Sequence, residues 1–369
     1  MIRPEQARIS RLKALMKAGG LEALLVTRRE DVRYLSGFTG SAGSLLIGPG
    51  QPCLVTDFRY QLQSKKETSG ITVVIQKKDF FSALREVADN LGVNTLWFEE
   101  TSLTVAELKK LQKLGLKPRG ARELLRQLRM RKDRRELASI RKAIGRAERS
   151  FKELQRYIKP GVRERELGLT LEFLMREKGS RKAAFDTIVA SAGNGAMPHA
   201  AATNRRIKKG DLVTIDFGAE ADGYFCDITR TLCVGKPTAK QKEIHGLVLQ
   251  AQEAAMQSVR PGMSCKSVDD VAREIIAAAG HGAHFGHGTG HGIGLMVHEG
   301  PSVSPLSNDQ VEQDMVFTVE PGVYIPGWGG VRIEDMVLVT ARGRKTLTTL
   351  PRGLDRLKSY EESRSSYMS

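Results

Sequence analysis

The chain has 369 residues, 40% of them hydrophobic, and a formal net charge of +16. That length exceeds the roughly 250–300 residues at which a single core stops growing, so two domains are expected. No apolar run approaches the ~20 residues that span a bilayer and the N-terminus has no apolar signal core, so a soluble, cytoplasmic protein without membrane partners is expected. Much of the positive excess falls between Arg119 and Arg149. No aromatic residue interleaves with it, so it reads as a solvated helix face rather than a nucleic-acid platform. Cys53, Cys226, Cys233 and Cys265 form no CxxC pair and read as reduced thiols, with Cys226 packed in a core.

In chain order, an amphipathic N-terminal helix precedes short apolar runs at 23–27, 44–48, 53–57, 71–75 and 95–99 that read as strands. Helical patterns closed by glycine lie between them, notably FFSALREVADNLG and TVAELKKLQKLG. This describes an α/β domain, assigned to residues 1–125, with Lys117–Gly120 read as connecting chain. It contains no GxGxxG turn and no Walker loop, so nothing supports nucleotide binding there. Residues 126–354 carry helical stretches at about 134–157, 163–178, 238–258 and 267–279. Ser267 and Asp270 are expected to cap the last of these. Strand candidates are DLVTIDFG, YFCDITRTLCV, MVFTVEPGVYI and GVRIEDMVLVT. Helices grouped with antiparallel strand pairs imply an α+β second domain. Residues 355–369 read as a polar, frayed tail.

Chemistry concentrates in this second region. If the chain reverses at Ala221–Asp222, Asp216 falls directly opposite Asp227, where cross-strand Cβ atoms stand roughly 4.5–5.5 Å apart. Two carboxylates that close repel unless a cation lies between them. Downstream, Glu320 sits among apolar strand residues before Pro321-Gly322. Glu334 follows Arg332 by two positions, and alternation would let the guanidinium orient that carboxylate. Asp335 points the other way. Five of the seven histidines lie between His281 and His298, in a glycine-dense segment whose backbone can approach a ligand closely. His281 and His284 follow a helix end and read as capping or solvent groups. His245 sits in a helix and reads as structural. His199, His287, His291 and His298 remain candidates, and spacing alone does not choose the metal ligand among them.

Together, PHA, TIDFGAEADGYFCDITRT, GHGTGHGIGLMVHE, TVEPGVYI and GVRIED resemble the pita-bread metallopeptidases, the group of methionine aminopeptidase, aminopeptidase P and prolidase. The N-terminal region resembles the creatinase-type domain of the proline-directed branch, with RYLSGFTGSAG and TDFRY as its marks. The resemblance implies an α/β N-terminal domain followed by an α+β pita-bread catalytic domain. It implies two divalent metal ions, Mn(II) foremost with Co(II) or Zn(II) as options, held by Asp216, Asp227, His291, Glu320 and Glu334. Asp227 and Glu334 would bridge the ions, and the resemblance implies His291 as the ligand, since it stands seven residues before His298 as the family's ligand histidine stands before its catalytic one. Glu320 would also shuttle a proton, His298 would polarise the scissile carbonyl, and His199 would lie near the leaving group. His287, Arg332 and Tyr324 would serve the substrate. Met296 departs from the family, which often carries an acid there. The activity so implied is an Xaa-Pro aminopeptidase acting on proline-containing peptides as a homodimer. The alternatives are an Xaa-Pro dipeptidase (prolidase) and, in another class, a non-catalytic pita-bread protein binding RNA or protein. A methionine aminopeptidase is disfavoured by the extra N-terminal domain.

Overall fold

The computed structural model describes residues 3–121 and 123–354, so the tail expected at 355–369 lies outside the described residues. The chain divides into two compact units, Met1–Arg129 and Met130–Ser369.

In the first unit the five apolar runs all become strands: β1 (Leu24–Val26), β2 (Ser44–Ile47), β3 (Cys53–Thr56), β4 (Thr72–Ile75) and β5 (Thr95–Glu99). A sixth, β6 (Lys117–Ala121), occupies the stretch read as connecting chain. Its sequence KPRGA lacks any strand pattern, and its parallel pairing with β5 supplies the order that its side chains do not. The sheet runs β4-β3-β2-β1-β5-β6. Helices α1 (Pro4–Ala18), α2 (Arg29–Ser36), α3 (Gln61–Glu67), α4 (Phe80–Asn90) and α5 (Val105–Lys113) connect and flank the strands, and α6 (Leu124–Met130) follows β6. Asp79 caps α4 by accepting the N–H groups of Phe81 and Ser82, and Thr104 with Glu107 forms a capping box on α5. Leu25, Leu46, Val55, Leu84 and Leu96 form the core between sheet and helices. Each such side chain contributes about 1.5–3 kcal/mol by leaving water.

The second unit begins with α7 (Arg134–Leu154), capped by an Asp133–Glu136 box, and α8 (Glu164–Glu177). Strands β7 (Ile188–Ser191), β8 (Leu212–Phe217), β9 (Glu220–Ala221), β10 (Tyr224–Phe225) and β11 (Ile228–Cys233) follow. Next come α9 (Ala239–Ser258) and α10 (Cys265–Ala278). The cap of α10 is Ser264, three residues before the expected Ser267, and its hydroxyl accepts the Ser267 N–H. The last strands are β12 (Gly290–Gly292), β13 (Glu299–Val303), β14 (Val316–Val319), β15 (Gly322–Ile325), β16 (Gly329–Arg332), β17 (Asp335–Thr340) and β18 (Gly343–Thr346). They form an antiparallel sheet ordered β13-β12-β14-β17-β18 and a separate β15-β16 pair, beside the β11-β8-β7 sheet. Among the described residues no helix is long and apolar enough to cross a membrane.

Two details of this unit differ from the sequence reading and shape the site. The hairpin turns at Asp222–Gly223, where both residues have positive φ (52° and 84°), rather than at Ala221–Asp222. Ala221 pairs with Tyr224 across a two-residue turn of the Asp-Gly type that favours this geometry. Asp216 therefore faces Thr229, and Asp227 lies diagonally, two residues back along the partner strand. A one-residue shift of the turn moves the pairing by two positions, so both carboxylates keep the same face. The second difference is in the glycines. A Cβ on Gly290 would collide with the Thr318 carbonyl, and one on Gly292 with the Gly300 carbonyl. These glycines admit neighbouring strands rather than a ligand.

Candidate metal centre

Four carboxylates from breaks and ends of strands converge with one imidazole from within a strand. Asp216 is the penultimate residue of β8, and Asp227 precedes β11. Glu320 follows β14, where Pro321 has no N–H to continue the ladder, and Glu334 lies between β16 and β17. The candidate strands MVFTVEPGVYI and GVRIEDMVLVT are thus each broken in two at their glutamates. His291 is the middle residue of β12.

Ligand atoms of Asp227, His291 and Glu334 lie within 4.8 Å of one another. His291 Nε2 is 3.3 Å from Glu320 Oε1 and 3.6 Å from Asp227 Oδ2. Its Nδ1 stands 3.1 Å from the Gly292 carbonyl. A carbonyl only accepts, so Nδ1 carries the hydrogen and Nε2 presents a lone pair to the carboxylates when the ring is neutral. Glu334 Oε2 accepts the Thr229 hydroxyl at 2.7 Å. Glu320 Oε1 accepts the Thr318 hydroxyl at 3.2 Å, and its backbone N–H donates to the Thr289 carbonyl at 2.7 Å.

Among the described residues three buried oxygens here accept no hydrogen bond: Asp216 Oδ1, Asp227 Oδ1 and Glu334 Oε1. An orphaned buried acceptor costs about 1–3 kcal/mol, and more when charged. Burial, then the charges of Glu334, Asp216 and Glu320, push the Asp227 carboxyl well above its ordinary range. Burial and the charges of Glu320 and Asp216 do the same to Glu334. Burial also acts on Glu320, but the hydrogen bond and charge of His291, with His287 and Arg332, outweigh it and hold this carboxyl low. Its partner His291 is correspondingly raised, the Glu320 contact prevailing over burial. Unpaired oxygens on crowded acids, facing one imidazole lone pair, fit a hard or borderline dication.

Arg332 corrects the sequence reading. Its Nη2 donates to Asp216 Oδ2 at 2.7 Å, and it reaches Glu334 only through the Thr229 hydroxyl, to which Nε donates at 3.2 Å. Strand alternation does not relate Arg332 to Glu334 because β16 ends between them. Arg332 Nη1 also donates to the Tyr324 hydroxyl at 2.8 Å, and that hydroxyl lies 2.9 Å from His287 Nε2. Since His287 Nδ1 faces the Gly288 carbonyl at 2.7 Å, Nε2 is the acceptor and Tyr324 the donor. Burial pushes the Tyr324 hydroxyl up to about 12, which keeps it a donor.

A cavity of about 620 Å³ opens onto this centre, and His199, His287, His291 and His298 all line it, with Asp216, Asp227, Glu320 and Arg332. Glu334 and Tyr324 are buried behind the wall. His298 stacks edge-on against His291 at 4.3 Å between centroids. Burial and the charge of His291 lower its pKa, so its ring is neutral at pH 7. His281 and His284 face each other, Nδ1 to Nδ1 at 3.1 Å, and take no part in the lining.

Residues that the sequence reading passed over hold the frame. Thr229 links Arg332 to Glu334, and it shares a face with Asp227 two residues earlier, a signal that alternation could have given. The buried Glu164 of α8 accepts the N–H groups of Ser191 (2.7 Å) and Thr203 (3.1 Å) and the Asn194 amide (3.0 Å), binding both ends of the loop that carries His199. Behind Glu334, Asp335 does point away. It accepts Arg230 Nη2 and Gln252 Nε2 at 2.8 Å each, and Arg352 Nε and the Thr348 hydroxyl at 2.5 Å. Burial would raise this carboxyl, but Arg230, Arg352 and Thr348 outweigh it and hold it low.

Comparison with known proteins places these features in context. Residues 138–341 match the family described as metallopeptidase family M24, and residues 8–131 match the creatinase/prolidase N-terminal domain. An Xaa-Pro dipeptidase of Pyrococcus horikoshii is 39% identical over 94% of this chain and 98% of its own length. The structure of an Xaa-Pro dipeptidase from Bacillus anthracis is 38% identical with a TM-score of 0.93, covering 96% of this chain and all of that one (100%). That of an X-Pro aminopeptidase from Thermotoga maritima is 39% identical with a TM-score of 0.87, covering 94% of this chain and 99% of that one.

Proposed function

We propose, from the premise that this chain belongs to metallopeptidase family M24 and carries its creatinase/prolidase N-terminal domain, that it hydrolyses Xaa-Pro dipeptides. The observation that carries the hydrolytic part is the group of crowded carboxylates with orphaned oxygens around His291. The dipeptide preference is supported by relatives named Xaa-Pro dipeptidase, one of them similar over 94% of this chain. They favour this reading over the Xaa-Pro aminopeptidase expected from sequence, to which the Thermotoga maritima structure is the counterpart.

In this reading Asp216, Asp227, His291, Glu320 and Glu334 hold two divalent ions, and their oxygen-rich donor set with a single imidazole suits Mn(II). Such ions supply a water made nucleophilic near neutral pH and polarise the substrate carbonyl. The chain's own groups do the rest. Arg332 fixes the orientation of Asp216. Glu320 accepts a proton at its carboxylate and returns it to the proline nitrogen as the C–N bond breaks. His298, neutral, donates a ring N–H to the carbonyl oxygen as negative charge develops there. His199 faces the leaving proline, and His287, with Tyr324 behind it, forms a wall against the substrate. Water and Xaa-Pro yield the free amino acid and proline.

The test compares Ala-Pro with Ala-Pro-Ala and a longer peptide, in Mn(II). Efficient dipeptide turnover with little or none of the longer peptides is expected. Comparable turnover of the tripeptide establishes the aminopeptidase instead. No hydrolysis of any of them, together with no ion bound, leaves the non-catalytic reading.

A further inference from the structure

The His287 wall is held from outside the cavity. Asp269 on α10 is fully buried, and its Oδ1 accepts the Thr289 N–H at 2.9 Å and the Thr289 hydroxyl at 2.8 Å. Arg273, one turn later on the same helix, donates Nε and Nη2 to the two oxygens of Asp269 at 2.8 and 2.9 Å. The same guanidinium donates Nη1 to the Phe285 carbonyl at 3.0 Å and Nη2 to the His287 carbonyl at 2.7 Å. It also lies 4.4 Å over the Phe285 ring, which meets the His287 imidazole edge-on at 5.1 Å. The backbone at 285, 287 and 289 is therefore tied to a single turn of α10. Both ring nitrogens of His287 are already engaged, by Gly288 and Tyr324. The imidazole is fixed at its backbone, its edge and its far nitrogen. Neither Asp269 nor Arg273 lines the cavity.

We propose that Asp269 and Arg273 are positioning residues that set the placement of the His287 wall against bound substrate, and that Arg273 acts on turnover through that wall. The proposal rests on the Xaa-Pro peptidase reading. It requires the guanidinium fork: a lysine keeps the charge beside Asp269 but cannot span its two oxygens and two carbonyls at once.

The experiment is a double-variant cycle in the full-length Mn(II)-loaded protein with Ala-Pro, combining Arg273→Lys and His287→Ala. Arg273→Lys is expected to raise KM about tenfold with kcat changed less than about threefold, and to change kcat/KM less than about twofold once His287 is gone. Equal losses in both backgrounds, or wild-type kinetics for Arg273→Lys, would overturn it. Hydrogen exchange gives a readout free of activity: amides at 285–291 should exchange faster in the variant while those at 212–217 do not change. Unchanged exchange at 285–291 also overturns the clamp. A wild type inert to every Xaa-Pro peptide would remove the peptidase reading, and the exchange result would still decide the clamp. If Arg273→Lys does not fold, Thr289→Val removes one hydroxyl bond to Asp269 and serves in the same cycle, with an expected factor of about three.

Discussion

Replacing Asp227 by asparagine should make the metal-free protein more stable while abolishing its response to metal. The ligand atoms of Asp227 and Glu334 lie within 4.8 Å of each other. At an effective dielectric of ~20, two unit charges at that spacing repel by about 3–4 kcal/mol. The fold relieves part of this by taking up protons, since both carboxyls are pushed well above their usual range. The sign follows. A raised folded-state pKa means the folded chain binds protons that the unfolded chain releases. Stability is then fullest below the unfolded carboxylate pKa of about 4 and declines as pH rises toward the folded values. Asparagine removes one contributor to that decline. In EDTA at pH 8, Asp227→Asn should gain about 1–3 kcal/mol, a rise in Tm of about 2–12 °C at the 2–4 °C per kcal/mol typical of a domain of about 150–250 residues. At pH 5 the gain should shrink. Adding Mn(II) should raise the wild-type Tm in a concentration-dependent way and move the variant far less. Calorimetric scans at the two pH values, with and without ion, measure all four quantities. A metal-free variant no more stable than wild type at pH 8, or equal stabilisation of both by Mn(II), would refute the reasoning.

His298→Ala should lower kcat about 10²–10³-fold while leaving the bound-metal stoichiometry unchanged, measured by steady-state kinetics beside elemental analysis. Asp335→Ala should destabilise the fold by about 3–5 kcal/mol, because it strands Arg230 in the interior. Since the folded Asp335 pKa is lowered, its contribution is present above the unfolded value and is lost as pH falls through the folded one, so denaturant midpoints of variant and wild type should converge in acid. Glu164→Ala should raise KM about tenfold by freeing the loop that carries His199, with kcat less affected in the same kinetic series. All four cysteines are buried, and burial pushes the Cys226 thiol up to about 12, so a thiol-reactive dye should label the native protein slowly and fully only after denaturation.

How much of this was legible depended on whether the information was local. Strands such as Ser44–Ile47 and Thr95–Glu99 announce themselves by short apolar runs, the second of them aromatic. Lys117–Ala121 does not, because its place is set by the neighbour it pairs with. The Asp-Gly signal at Asp222–Gly223 was present and fixes the hairpin register. Placing the turn one residue early cost the pairing partner of Asp216 but not the face it shares with Asp227. The acids stood out as carboxylates in apolar strands, yet their supports did not. Arg332 takes Asp216, 116 positions away in sequence, rather than Glu334 two positions on. Alternation is a rule for continuous strands, and here the strand stops where the chemistry starts. Asp269, Arg273 and Glu164 act through hydrogen bonds to backbone groups, which leave no mark in the identity of the residues they hold.

Glu334 and Asp335 are joined by one peptide bond and answer to different demands. The first faces acids and an imidazole, and its charge is tolerated only in company. The second is clasped by two guanidiniums, and its charge is what the interior is built around. A library of variants scanned for folded yield alone should therefore enrich neutral substitutions at 334 and purge them at 335. The same library scanned for hydrolysis should purge both. Two adjacent positions, read under two selections, would separate the cost of carrying an active centre from the cost of having a fold to carry it.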